Sequence, residues 1–219
     1  NIDVSTGALI SVVCLFTAAL GKAGVPFAGL LPAAMLMGAA LSTLNGLFIT
    51  KMKIPAIVAT LATTQIFQGV LPLLVEGSIY DLPASFTWLA FDAKIFGIIP
   101  ASVLICLIVT VCALLFMKYA IGNNANGARL AGVNVNRTVV ITYAIAGALF
   151  GISAIIIATA GQRVTNTMGT GLEMTFIAAV VLGGTSTAGG SGKIIGTVIG
   201  AFILALIAPA INYLGISPN

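Results

Sequence analysis

Few side chains in this sequence are equipped for covalent chemistry. The 219 residues contain no histidine and only five acids, Asp3, Glu76, Asp81, Asp92 and Glu173. The commonest general base and metal ligand is therefore missing. Cys14, Cys106 and Cys112 all lie inside apolar runs without CxxC or ligand spacing. They read as small buried hydrophobes and support neither a disulfide framework nor a metal site. Gly189-Gly-Ser-Gly-Lys193 looks superficially like a phosphate loop, but it lacks the GxxxxGK[ST] spacing and runs on into Ile194. No catalytic residue, metal or cofactor is expected. What remains is hydrogen-bonding chemistry. Gln65 and Gln68 stand three apart on one helical face, and Thr185 and Ser186 sit beside Gly183 and Gly184. Hydroxyls and amides of this kind suit a neutral, polyhydroxylated solute. For the glutamines interhelical glue is the preferred reading over pathway lining, and the Gly-rich stretch reads equally as a turn between close-packed helices.

The elements that must position these groups are helices in lipid. Hydrophobic residues make up 59% of the chain and charged residues 6%, against about 25% charged in a soluble domain. The net charge of +4 is spread over loops, and no basic patch with interleaved aromatics points to nucleic acid. A bilayer core needs about 20 apolar residues of helix. Spans are expected over Val4–Gly21, Val25–Thr50, Ile54–Val75, Ile98–Met117, Thr138–Ala160 and Ile194–Leu214. Small residues four apart, Gly38, Ser42 and Gly46 in one span and Gly147 and Gly151 in another, predict close helix packing. Glu76–Gly97, where charges alternate with aromatics, reads as an interfacial segment. Leu172–Leu182 is apolar but too short to cross before the glycines begin. Interrupted segments of this kind often mark transport pathways, with Glu173 at the mouth of the break. Asp3, followed by Ser5 and Thr6, reads as an acid at a helix start.

The expected fold is thus an all-α integral membrane protein, a polytopic bundle of about six to seven transmembrane or half-membrane helices with one Gly-rich broken helix. It forms a single transmembrane domain over residues 1–219. Lys51, Lys53, Lys118, Arg129 and Arg137 fall on one side without acids, which assigns that side to the cytoplasm. Asp3–Gly7 and Gly38-Ala39 correspond loosely to Thr185–Gly189 and Gly200-Ala201, as in an inverted repeat. The chain opens on Asn1 without a targeting segment, as expected of a piece of a longer protein.

Several stretches together are recognisable: Asn1–Gly7, Asn134–Asn136, Thr170–Met174, Ala178–Ser186 and Gly189–Gly192. They resemble the permease subunits of bacterial ribose-type ABC importers, the ribose, autoinducer-2 and rhamnose permeases among them. That resemblance covers essentially the whole chain and implies further helices at both ends in the full-length protein. It implies a multi-pass protein of the bacterial inner membrane that pairs with a second, identical or different permease. Substrate would come from a periplasmic solute-binding protein, and cytoplasmic ATP-binding subunits would drive transport. Ala128, Arg129, Gly132, Val133 and Asn134 match the ATPase-coupling pattern, although Ala125-Asn-Gly127 departs from the family's Pro-Glu-Ala. The translocation pathway would draw on Gln65, Gln68, Glu173, Gly183, Gly184, Thr185 and Ser186. An ion-coupled secondary transporter of a small neutral solute is the alternative, disfavoured by the scarcity of acids within the long spans.

Overall fold

A chain in lipid must bond its backbone polar groups internally, and helices meet that demand within each segment. A computed structural model describes residues 2–75, 78–79, 82, 93–95, 99–117, 130, 132–161, 163–186 and 192–215. Seven helices lie among the described residues: α1 (Thr6–Lys22), α2 (Phe27–Lys51), α3 (Ala56–Leu74), α4 (Ala101–Met117), α5 (Val135–Gly161), α6 (Leu172–Leu182) and α7 (Ile194–Tyr213). Helices α2, α3 and α5, with Ile194–Ile211 of α7, are long and apolar enough to cross a membrane. Two small antiparallel pairs of strands, unanticipated from the sequence, join the connections. β1 (Ser78–Ile79) pairs with β4 (Val164–Thr165), and β2 (Lys94–Ile95) with β3 (Ile99–Pro100).

α1 is the innermost helix. Leu9, Ile10, Val13, Cys14 and Ala18 are wholly buried, because α2, α3, α5, α6 and β4 surround it. Its polar residues are satisfied locally or across helices. Thr17 Oγ1 donates to the Val13 carbonyl at 2.8 Å, and Cys14 Sγ donates to the Ala154 carbonyl at 3.2 Å. The helix ends in a Schellman turn, with Gly24 at φ +88 and the Val25 N–H bonded to the Leu20 carbonyl at 3.1 Å.

The broadest packing joins α2 and α5, antiparallel along the small residues that the sequence singled out. A Cβ added at Gly38 would meet the Gly147 carbonyl oxygen, and one at Gly151 would meet the Ala34 carbonyl oxygen. A Cβ at Gly46 would lie 3.1 Å from Val140 Cα. Close backbone approach of this kind is how helices associate where lipid removes the hydrophobic drive. It brings Lys51 and Arg137 to one end of the pair and Lys22 and Gly161 to the other, in line with the expected alternation.

Two expectations need correction. α5 begins at Val135, three residues before the expected Thr138, because the Asn134 side chain caps it: Asn134 Oδ1 accepts the Arg137 N–H at 3.1 Å. Of the three cysteines only Cys14 is buried; Cys106 and Cys112 are exposed on α4. α4 has few neighbours beyond β3 and α7, and a thiol is apolar enough to face lipid. Most of the Glu76–Gly97 connection and residues 187–191, part of the second opening of the inverted repeat, lie outside the described residues.

Candidate functional site

The polar chemistry gathers where α1 begins. Ser5 is level with Asn45, six residues before the Lys51 end of α2, or about 9 Å in from that end at 1.5 Å per residue. The irregular backbone before α1 therefore lies at membrane depth, where an unbonded peptide group costs several kcal/mol. Side chains of α3 meet the need. The Val4 N–H donates to Thr60 Oγ1 at 3.2 Å, and Thr64 Oγ1 donates to the Val4 carbonyl at 3.3 Å. Asp3 folds over the same turn. Its Oδ1 accepts the Ser5 N–H at 2.9 Å and the Ser5 hydroxyl at 2.6 Å, and Asn45 Nδ2 donates to Ser5 Oγ at 2.8 Å. Asp3 thus forms a turn in front of α1 and is not the acid in a capped first turn that the sequence suggested: the first turn holds no acid and Ser5 makes no side-chain cap bond. Five buried side-chain atoms have no hydrogen bond among the described residues: Asp3 Oδ2, Asn45 Oδ1, Ser42 Oγ, Tyr143 OH and Glu173 Oε2. Ser42 and Asn45 share one face of α2 across from Tyr143 on α5, so polarity continues from the head of α1 into that interface.

The segment after α5 closes the other side of this head. The Gly169 N–H donates to Ser11 Oγ at 2.8 Å. A Cβ at Gly7 would meet both the Gly169 carbonyl oxygen and Glu173 Oε2. The carboxylates of Asp3 and Glu173, remote in sequence, therefore flank the first turn of α1. Gly171, at φ +85, is the N-cap of α6. That helix spans the expected 11 residues and stops in another Schellman turn. Gly184 takes φ +81 there, and the Thr185 N–H donates to the Val180 carbonyl at 3.1 Å. α7 then packs back on α6 with backbone against backbone. A Cβ at Gly196 would meet the Gly183 carbonyl oxygen, and one at Gly200 the Ala179 carbonyl oxygen. A Cβ at Gly192 would lie 2.9 Å from Thr185 Oγ1. The break in the apolar run is a close-packed helical hairpin as well as an interruption.

The family model described as branched-chain amino acid transport system / permease component matches residues 2–219. The chain belongs to this family. The ribose import permease protein RbsC of Escherichia coli (strain K12) is 35% identical over 99% of this chain and 71% of its own length. The autoinducer 2 import system permease protein LsrC of Yersinia enterocolitica serotype O:8 is 36% identical over 94% of this chain, but only 59% of its own length is covered. LsrC of Yersinia pestis (strain Pestoides F) is likewise 36% identical, with 61% of its length covered. No solved structure matches the chain.

Within this permease the sequence-predicted residues separate into groups. Glu173, Gly183, Gly184, Thr185 and Ser186 lie on α6 and its exit, Glu173 against the head of α1. Gln65 is exposed on α3, away from the buried Thr60, Thr63 and Thr64, and Gln68 is half-buried on the flank. The glutamines therefore do not join the α1 head. Gly132, at φ +80, and Val133 and Asn134 are exposed just before α5; Ala128 and Arg129 lie outside the described residues. Sequence reasoning missed Ser11 and Asn45, and took Ser5 only as part of a helix start. Asn45 carried a usable signal, an amide inside a long apolar span, which is costly unless bonded or functional.

Proposed function

We propose that the chain is the membrane-spanning permease part of an ATP-driven importer. It carries a simple sugar or sugar-like solute from a periplasmic binding protein into the cytoplasm. The observation that carries this reading is the match over residues 2–219 together with the names of the relatives, import permeases for ribose and for autoinducer 2. The geometry supports it. The break at the α1 head is held by hydroxyls, an amide and backbone groups, which are suitable partners for an uncharged solute. On this reading the 120–137 loop meets the cytoplasmic ATP-binding subunits, with Ala128, Arg129, Gly132, Val133 and Asn134 in contact. A second permease, identical or different, lies alongside in the membrane. The family description names branched-chain amino acids, and a zwitterionic solute of that class is the second reading; ligand screening of the cognate binding protein separates the two. Ion-coupled transport would instead rest on Asp3 and Glu173.

Reconstituted vesicles test the proposal. Uptake is expected to follow ATP and to ignore an imposed proton or sodium gradient; uptake driven by the gradient alone would overturn it. In the assembled complex, Arg129→Glu is expected to lower solute-stimulated ATPase activity about tenfold, the effect of losing about 1.4 kcal/mol at a charged contact. Unchanged stimulation would remove Arg129 from the contact.

A further inference from the structure

The ends of α2 and α5 leave an open cleft of about 570 Å³, bordered by Thr50, Lys51, Asn134, Asn136 and Arg137. Val140 and Ile141 form its apolar part. Lys51 and Arg137 are exposed, and neither has an ion-pair partner among the described residues. Among the described residues no carboxylate pairs with these cations. Residues 4–75 and 93–172 contain neither Asp nor Glu. Asp3 and Glu173 are held at the α1 head, and the remaining acids follow the far end of α3. Among the described residues no anion matches the two cations.

The residues one turn deeper indicate what kind of anion. Leu47 precedes Lys51 by four positions on α2, and Ile141 follows Arg137 by four on α5. Each pair therefore shares a helix face. Leu47 is 37% and Ile141 44% exposed. Each helix presents a cation at its end and an exposed aliphatic side chain just inside, at the boundary where a spanning helix leaves the hydrocarbon. A soluble anion would use the cations alone. A molecule with a phosphate joined to acyl chains would use both levels, and basic pockets between transmembrane helices hold such headgroups.

We propose that this cleft binds an anionic phospholipid, its phosphate between Lys51 and Arg137, the headgroup near Asn136, and an acyl chain along Leu47 and Ile141. The site is separate from the solute pathway and does not depend on what the permease carries.

The test uses the full-chain permease purified in neutral detergent without ATPase subunits. Phosphatidylglycerol and phosphatidylcholine of identical acyl chains compete for it, and retained lipid is counted by native mass spectrometry. Two cations near a headgroup predict about a thirtyfold preference for phosphatidylglycerol. The preference is expected to vanish in Lys51→Gln/Arg137→Gln and to persist in the charge-conserving Lys51→Arg/Arg137→Lys, which also checks that the double variant's loss is not misfolding. Thermal shift supplies the second readout: phosphatidylglycerol raises Tm in the parent, whereas glycerol phosphate or inorganic phosphate at equal concentration does not. Equal retention of the two lipids, or a preference unchanged in the neutral variant, overturns the proposal. A phosphate-only shift as large as the lipid's reassigns the cleft to a soluble anion.

Discussion

Adding a single methyl group at Gly147 tests whether the α2–α5 contact is as close as described. An alanine Cβ there would meet the Gly38 carbonyl oxygen, and would lie 2.7 Å from Gly38 C and 2.5 Å from Ser42 Cβ. Ordinary contact begins at 3.4 Å, so relief of the Ser42 contact alone requires a displacement of about 0.9 Å (3.4 − 2.5). Opening a packed interface by 0.5–1 Å forfeits about a quarter to a half of each atom pair's attraction. Overpacking of this kind costs about 1–3 kcal/mol, and about 2–4 °C of Tm per kcal/mol at this chain length predicts a fall of about 2–12 °C. Gly69 on α3 is the matched control, since a Cβ there meets nothing within 4 Å. Gly69→Ala is expected to hold or raise Tm, because alanine is favoured over glycine in a helix by about 0.5–1 kcal/mol. Scanning fluorimetry of both variants in one detergent decides the matter. If Gly147→Ala matches or exceeds the parent as Gly69→Ala does, the helices are not in backbone contact and the packing argument fails.

Two further perturbations address the break in the helices. Thr60→Val keeps the shape but leaves the Val4 N–H without its acceptor, a loss of about 1–3 kcal/mol; Thr60→Ser should restore stability, and equal Tm values for Val and Ser would remove the bond from the account. At the α6 exit, Gly183→Ala drives a methyl into the Gly196 backbone, whereas Gly184→Ala has space but must hold φ +81. The first should impair folding and uptake together, while the second should cost about 1–2 kcal/mol of backbone strain with assembly intact; identical losses in the two variants would refute the distinction.

Much of the fold is legible in the sequence because lipid imposes one demand on every span, enough apolar residues to bond a helix across it. The bounds of α6 are legible for a sharper reason, since glycines stand at both ends of Leu172–Leu182. The start of α5 is not, because the apolar run begins after the Asn134 cap has already set the first turn. Nor is the central place of α1. Hydropathy scores its Leu9 and Ile10 like the lipid-facing side chains of α4, and only packing tells them apart. The small residues of α2 and α5 are visible singly, but nothing in either span says that Gly38 meets Gly147. Polar residues on α3 mislead for a similar reason. Gln65 and Gln68 are the larger hydrogen-bonding groups, yet Thr60 and Thr64 face the buried, non-helical backbone of Val4. Glu173 is legible as an acid beside a break; that it lies against Gly7 depends on a fold-back too long in sequence to infer.

Along α2 the small residues Ala34, Gly38, Ser42 and Gly46 recur every fourth position. A repeating track has near-translational symmetry, so α5 moved by four residues, about 6 Å along the axis, would meet a similar surface. Shape alone then sets how far apart the helices stand without setting where along the track they stop. Position is left to groups that have no counterpart one turn away: the Tyr143 ring beside Gly46, and the Cys14 thiol on the Ala154 carbonyl. Spacing is written in the absence of side chains, and alignment in a few that are present.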